Sequence, residues 1–410
     1  MPETRHLSLD VLRGVAVMGI LLMNIIGFAM PMAAYVNPAA WGGATGTDFW
    51  AWALASVLID GKMRGLFSLL FGASMLLIVQ RAEARYDDPA RVHFRRMAWL
   101  FGFGALHFWF LWAGDILALY ALCGAIAFPL RDASAKSLFW IGAGLILLNM
   151  LIWGIASAEF HQVRQAAEMA GASAADMARH ADILAAIGAP GNESVQADLA
   201  LQLGSYGDIV AARFAEGAGG LIGQVFAYGP ETVGLMAWGI SLMKSGALTG
   251  AWPPRRYWLG ALSLYVVGIP LSAALVWWGV RSRFDALTMH DIFYVWSVVP
   301  RMIVMTGHLM LLLAIIHAAP AARSSRVAAT GRMAFSNYIL TSLMMTTLFY
   351  GYGGGLYGTL SRAQVYLVVP FAWALMLIWS RLWLRQFRYG PLEWLWRSLA
   401  RWQVQPFRKG

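Results

Sequence analysis

The chain has 410 residues, of which 59% are hydrophobic and 13% charged, and its mean hydropathy is +0.58. An ordinary soluble domain carries about 25% charged residues, so the composition excludes that class and indicates an all-α polytopic membrane bundle. The net charge of +10 does not point to nucleic acid, because the cations are spread over alternate loops between apolar stretches.

Apolar stretches near the roughly 20 residues that cross a bilayer fall at about 9–30, 64–80, 97–113, 115–131, 137–156, 230–246, 257–279, 297–318, 333–351 and 364–384. They predict an N-terminal membrane bundle (1–156), an extracytoplasmic polar segment (157–217), a C-terminal bundle (218–384) and a basic tail (385–410), with about five spans in each bundle. Ten crossings put both termini on one side. With that side cytoplasmic, 21 Lys and Arg from Arg5 through Arg323 to Lys409 lie inside, against six on the opposite loops. This is the positive-inside distribution, and it predicts a multi-pass protein with both termini cytoplasmic. The first span is read as retained rather than as a cleaved leader.

That span opens with Leu9-Asp10-Val11-Leu12-Arg13-Gly14 and runs apolar to Asn24. A charge carried into hydrocarbon costs roughly 3 to more than 10 kcal/mol, so Arg13 either snorkels to the headgroups or faces a polar cavity with Asp10. Residues 48–60 read as an amphipathic helix at the outer interface, with the chain entering the membrane through Gly61 to Gly65. Lys62 and Arg64 either pair with Asp60 in a solvated turn or form a basic, Gly-lined entrance for an anionic group.

Arg95 and Arg96 precede the third span, which ends in Leu106-His107 and turns through Gly114-Asp115. His107 suits general-base work with Asp115 orienting its ring; the alternatives are a hydrogen bond to a neighbouring helix and an Asp115 helix cap. Cys123 is the single cysteine, which excludes an intramolecular disulfide and leaves no ligand set for a metal. Residues 157–217 read as two polar helices, about 158–186 and 194–215, acting as a cap or a spacer.

Gly229-Pro230-Glu231-Thr232 reads as a helix start in which Glu231 faces the dipole. Arg301 and His308, seven residues apart, fall on one helix face and could share a cavity. Gly331-Arg332-Met333-Ala334 opens a span whose Ser336, Asn337 and Tyr338 are polar, with interhelical hydrogen bonding as the alternative to a binding role.

Taken together, the Leu-Asp-x-Leu-Arg-Gly opening ending in Asn24, the His107 to Asp115 hairpin, Gly331 to Tyr338, and Phe387-Arg388-Tyr389-Gly390-Pro391-Leu392-Glu393-Trp394 resemble the YeiB family of bacterial inner-membrane proteins. The opening is also similar to the wider transmembrane acyltransferase superfamily, including the acyltransferase-3 and heparan-glucosaminide acetyltransferase types. That resemblance implies an acyl-CoA donor on the cytoplasmic side and an acceptor in or across the membrane. It implies cations for the CoA phosphates (Arg13, Arg95, Arg96, Arg332), a base (His107) and an oxyanion donor (Asn24). Acyltransferase-3 enzymes have His where this chain has Asn24, and the loop Tyr35 to Trp41 lacks the His of the heparan-glucosaminide type. An acyl-His relay is absent there, so acyl transfer requires His107 as the base.

The reading is therefore a membrane-embedded acyltransferase. The alternatives are a transporter or exporter of a small molecule or lipid, with Arg13, Arg301, Glu231 and Asp115 along its pathway, and a lipid- or partner-binding scaffold. Membrane lipids are the expected surroundings, no nucleic acid partner is expected, and Gly102-Phe103-Gly104 and Gly351 to Gly355 permit a homodimer.

Overall fold

The structure is a computed structural model that describes residues 7–318 and 321–409, without the side chains of 321–324. Arg5 and the Arg323 side chain lie outside the described residues. The fold is 78% helical, with no strand among the described residues.

In chain order the helices are α1 (Leu7–Ala29), α2 (Ala33–Val36), α3 (Gly46–Leu58), α4 (Lys62–Glu83), α5 (Pro89–Phe110), α6 (Leu117–Ala127), α7 (Ala135–Glu168), α8 (Ala174–Ala186), α9 (Glu193–Gln202) and α10 (Tyr206–Ala215). There follow α11 (Gly219–Lys244), α12 (Pro254–Arg281), α13 (Ala286–Asp291), α14 (Val298–Ala318), α15 (Ala321–Arg332), α16 (Ala334–Phe349), α17 (Arg362–Tyr366), α18 (Val369–Gln386) and α19 (Pro391–Arg401). Six segments among the described residues are long and apolar enough to cross a membrane: α1, α3 with α4, α7, α12, α14, and α17 with α18. This is a helical membrane bundle. The other four predicted spans coincide with α5, α6, α11 and α16. Of these, α6 and α16 have only 11 and 16 residues, and charged, polar and glycine residues dilute α5 and α11.

Burial separates the core from the rim. The apolar window of α1 is 78% buried, whereas those of α12, α7 and α18 are 17%, 22% and 28% buried. α1 is thus a central post, and the other three turn large apolar side chains such as Trp140, Leu151, Leu262 and Trp277 outward, as lipid contact requires. α4 packs beside α1 and α11. A Cβ on Gly239 of α11 would stand 1.8 Å from the Leu69 carbonyl of α4, so only glycine permits that approach.

The two ends of the bundle differ. At the end of α1, the Met32 amide donates to Asp198 of α9 (2.9 Å) and the Gly351 amide to the Gln202 carbonyl (2.9 Å); this is termed the cap face. At the opposite, tail face, α19 folds back: Trp396 Nε1 donates to the Arg96 carbonyl (2.9 Å), and Glu393 accepts from the Phe335 and Ser336 amides at the start of α16 (2.8 and 3.1 Å).

Two expectations need correction. The polar segment is not two helices: α7 runs on to Glu168, a break at Gly171 precedes α8, and Ser205 starts α10 by accepting from the Asp208 amide (3.2 Å). The stretch 48–60 is not a flat interfacial helix either. The Leu58 carbonyl at the end of α3 accepts from His308, halfway along α14 (2.7 Å), and Met63 of α4 packs on Gly19, halfway along α1. α3 and α4 form one crossing, broken at residues 59–61 in its middle.

Substituting Gly239→Val should lower the thermal unfolding midpoint of the detergent-purified protein, at a cost of about 1–3 kcal/mol from overpacking. Gly102→Val, where an added Cβ meets nothing within 4 Å, should leave the midpoint unchanged.

Candidate functional site

His107 sits in the last turn of α5, which closes when the Leu111 and Trp112 amides both bond to its carbonyl (2.9 and 2.8 Å). The chain then reverses so that Asp115 meets it. Asp115 Oδ2 accepts from the Ala118 amide at the start of α6 (2.8 Å), and Oδ1 lies 2.9 Å from His107 Nδ1. Capping and ring orientation, alternatives in the sequence, are two lone-pair sets of one carboxylate. On the other side of the ring, Nε2 lies 2.8 Å from Ser342 Oγ of α16. With Nδ1–H donated to Asp115, Nε2 is the acceptor, and the single Ser342 proton has two acceptors, Nε2 and the Tyr338 carbonyl at 3.2 Å. All three side chains are buried, and the Tyr338 ring leans on the imidazole at 5.0 Å.

A second cluster surrounds the break between α3 and α4. Arg64 Nη2 donates to Glu231 Oε1 at 2.6 Å, and Arg301 Nη2 lies 3.5 Å from Oε2. The Lys62 ammonium donates to the Ser56 carbonyl. Gly61 has φ +71°, and Arg301 Cδ lies 2.0 Å from where its Cβ would be; glycine is required both for the left-handed turn and for the arginine to pass. Neither Lys62 nor Arg64 forms the ion pair with Asp60 that the sequence suggested.

Glu231 is not at a helix start. α11 begins twelve residues earlier, at Gly219, and Pro230 lies inside it, where the missing N–H loosens the backbone. Glu231 therefore serves the two arginines, not a helix dipole. His308 is not among the residues that line the Arg301 cavity; it bonds to the Leu58 carbonyl and to Tyr265 Oη (2.6 Å).

The remaining candidates disperse. Arg13 spans to Asp10 (3.1 Å) and to Ser74 Oγ of α4 (2.8 Å), an interhelical anchor rather than a snorkelling chain. Asn24 is half-buried and joins neither the His107 nor the Glu231 network. Arg95 lies over Trp402, Arg96 over Trp396 at 4.0 Å, and Arg332 donates to the Arg388 carbonyl (3.1 Å), so these three gather at the tail face. Asn337 is saturated by the Thr330 carbonyl, Ser380 and Trp379. Ser342 was missed by sequence reasoning. Its signal was the polar stripe Tyr338, Ser342, Thr346 at helical spacing.

Comparison with known proteins matches this sequence to bacterial relatives. The chain is 32% identical to the "Uncharacterized protein YeiB" of Escherichia coli (strain K12), over 97% of this chain and 96% of that protein. The chain belongs to the YeiB family. It is also 29% identical to the "Uncharacterized protein YxaH" of Bacillus subtilis (strain 168), over 98% and 95% of the two chains. Residues 242–403 match the family described as "Protein of unknown function (DUF418)", the part that holds Arg301, Arg332 and Ser342.

Glu231→Ala should cost about 3–5 kcal/mol of stability, since it leaves two buried arginines uncompensated. Glu231→Gln, which keeps one acceptor, should cost less. Unfolding midpoints of the two purified variants check the order.

Proposed function

We propose that this chain transfers an acyl group from a cytoplasmic thioester such as acyl-CoA to a hydroxyl acceptor within or across a bacterial inner membrane. One observation supports the reading above the others: the line Asp115, His107, Ser342, in which a carboxylate fixes one ring nitrogen and a hydroxyl stands on the other. In the proposed step, an acceptor hydroxyl displaces Ser342 Oγ from His107 Nε2, which removes the acceptor's proton. The hydroxyl oxygen adds to the thioester carbonyl, the C–S bond breaks, and the thiolate leaves with the proton from the imidazolium. Asp115 holds the productive tautomer and stabilises the cation.

In this reading the tail face is cytoplasmic, as the loop charges favour, and Arg95, Arg96 and Arg332 meet the CoA phosphates there. Arg13 is engaged on α4, apart from His107, so the phosphates stay at the face while the thioester reaches inward. Asn24 is the proposed donor to the oxyanion. A second reading, a transporter or exporter, is favoured by one specific observation, the crossing broken at its middle beside buried charges, an arrangement that transporters use.

Binding of radiolabelled acetyl-CoA and longer acyl-CoAs to the purified chain separates the two. Acyl transfer expects saturable binding, weakened about tenfold by Arg96→Ala through loss of a charged contact. His107→Ala should keep binding and lose transfer of label to lipid or protein. If the folded protein binds no CoA ester even at millimolar concentration, acyl transfer is abandoned and transport leads.

A further inference from the structure

The geometry points to a buried anion-binding site at the break between α3 and α4, one that takes a carboxylate or phosphate group and does not depend on acyl transfer. Beside the break lies a cavity of about 50 Å³ whose lining includes Ser56, Asp60, Lys62, Ser272, Ser297 and Arg301. A water takes about 30 Å³ of liquid volume. The space thus admits the charged end of a ligand.

The lining is built to donate. Lys62, Ser272 and Arg301 are 3%, 5% and 6% exposed, so nothing in bulk water can satisfy them. Ser272 and Arg301 line the cavity, and Ser272 Oγ and Arg301 Nε are buried without a hydrogen-bond partner, as is Nη1 of Arg64, whose Nη2 bonds to Glu231. Lys62 has three donors and places one on Ser56. Three cations, Lys62, Arg64 and Arg301, stand against two carboxylates, Asp60 and Glu231, and both oxygens of Glu231 are already taken by the arginines. Asp60 faces the same cavity. Buried donors are costly unless an acceptor arrives, and an anion supplies one.

The rest of the ligand can be apolar, because Trp52, Leu275, Val276, Ile292 and Phe293 form the other walls. Those residues belong to the cap-face ends of α3 and α12 and to the segment before α14, so the anion reaches the site from that side. Its source is a free small anion or the headgroup of an anionic lipid.

The test uses the full purified chain, first in detergent with sodium acetate or inorganic phosphate against sodium chloride at equal ionic strength, read by unfolding midpoint and calorimetric titration. A parallel arm compares nanodiscs of phosphatidylglycerol with nanodiscs of phosphatidylcholine. A saturable upward shift with acetate or phosphate supports a free anion; a shift confined to phosphatidylglycerol supports a headgroup. In either arm Lys62→Met should weaken binding about ten- to a hundredfold, as expected for a charged hydrogen bond, and Lys62→Arg should retain part of it. Ser272→Ala removes only an unpartnered hydroxyl, so it should fold and weaken binding by a smaller factor. No saturable shift in either arm, or a shift that Lys62→Met and Ser272→Ala leave unchanged, overturns the site. No CoA ester is used, so this result is independent of the fate of the acyl-transfer reading.

Discussion

The structure depends on one carboxylate held between two arginines in a place water hardly reaches. Glu231, 1% exposed, receives Arg64 from α4 and Arg301 from α14 while itself belonging to α11. In such a setting a lone charge is far more expensive than a paired one, so three helices are tied to one register. The broken crossing follows from that tie. A straight helix from Gly46 to Glu83 would leave no passage for the Arg301 side chain, and the left-handed turn at Gly61 opens it.

The pair of networks divides the molecule chemically. Around His107 every strong donor and acceptor has a partner, and the ring is fixed from both sides; this is preorganisation, which a proton-transfer site needs. Around Arg301 the donors outnumber the acceptors, and that imbalance suits recognition of a group not supplied by the chain. The cations at the tail face are different again. Arg95 and Arg96 stack on the tryptophans of α19 and its end, where an amphipathic helix with Trp394, Trp396, Arg397 and Arg401 lies along the bundle.

Much of the fold was legible because hydropathy reports the solvent directly. Each of the ten apolar stretches became a helix, and the pairing of His107 with Asp115 was legible from the short turn between them. Other readings failed where the sequence offered only local cues. Pro230 beside Glu231 looks like a helix start, yet α11 begins at Gly219, since packing on α4 and α7 sustains a helix through a proline that would end an isolated one. Asp60 looks like the partner of Lys62 and Arg64 because it is near in sequence, but the acid that binds Arg64 is 167 residues away.

By itself, then, the sequence determined that this is an all-α membrane protein, where its apolar helices lie and which polar residues fall within or beside them, because transfer free energy depends on residue type and run length. Only the tertiary structure decided which of those residues meet. Ser342 reaches His107 from 235 residues away, and Arg13 and His107, though both candidates for one site, are anchored to different helices. Such partnerships are set by helix packing, in which close glycine contacts and buried-charge compensation select one arrangement among many that the same hydropathy pattern permits.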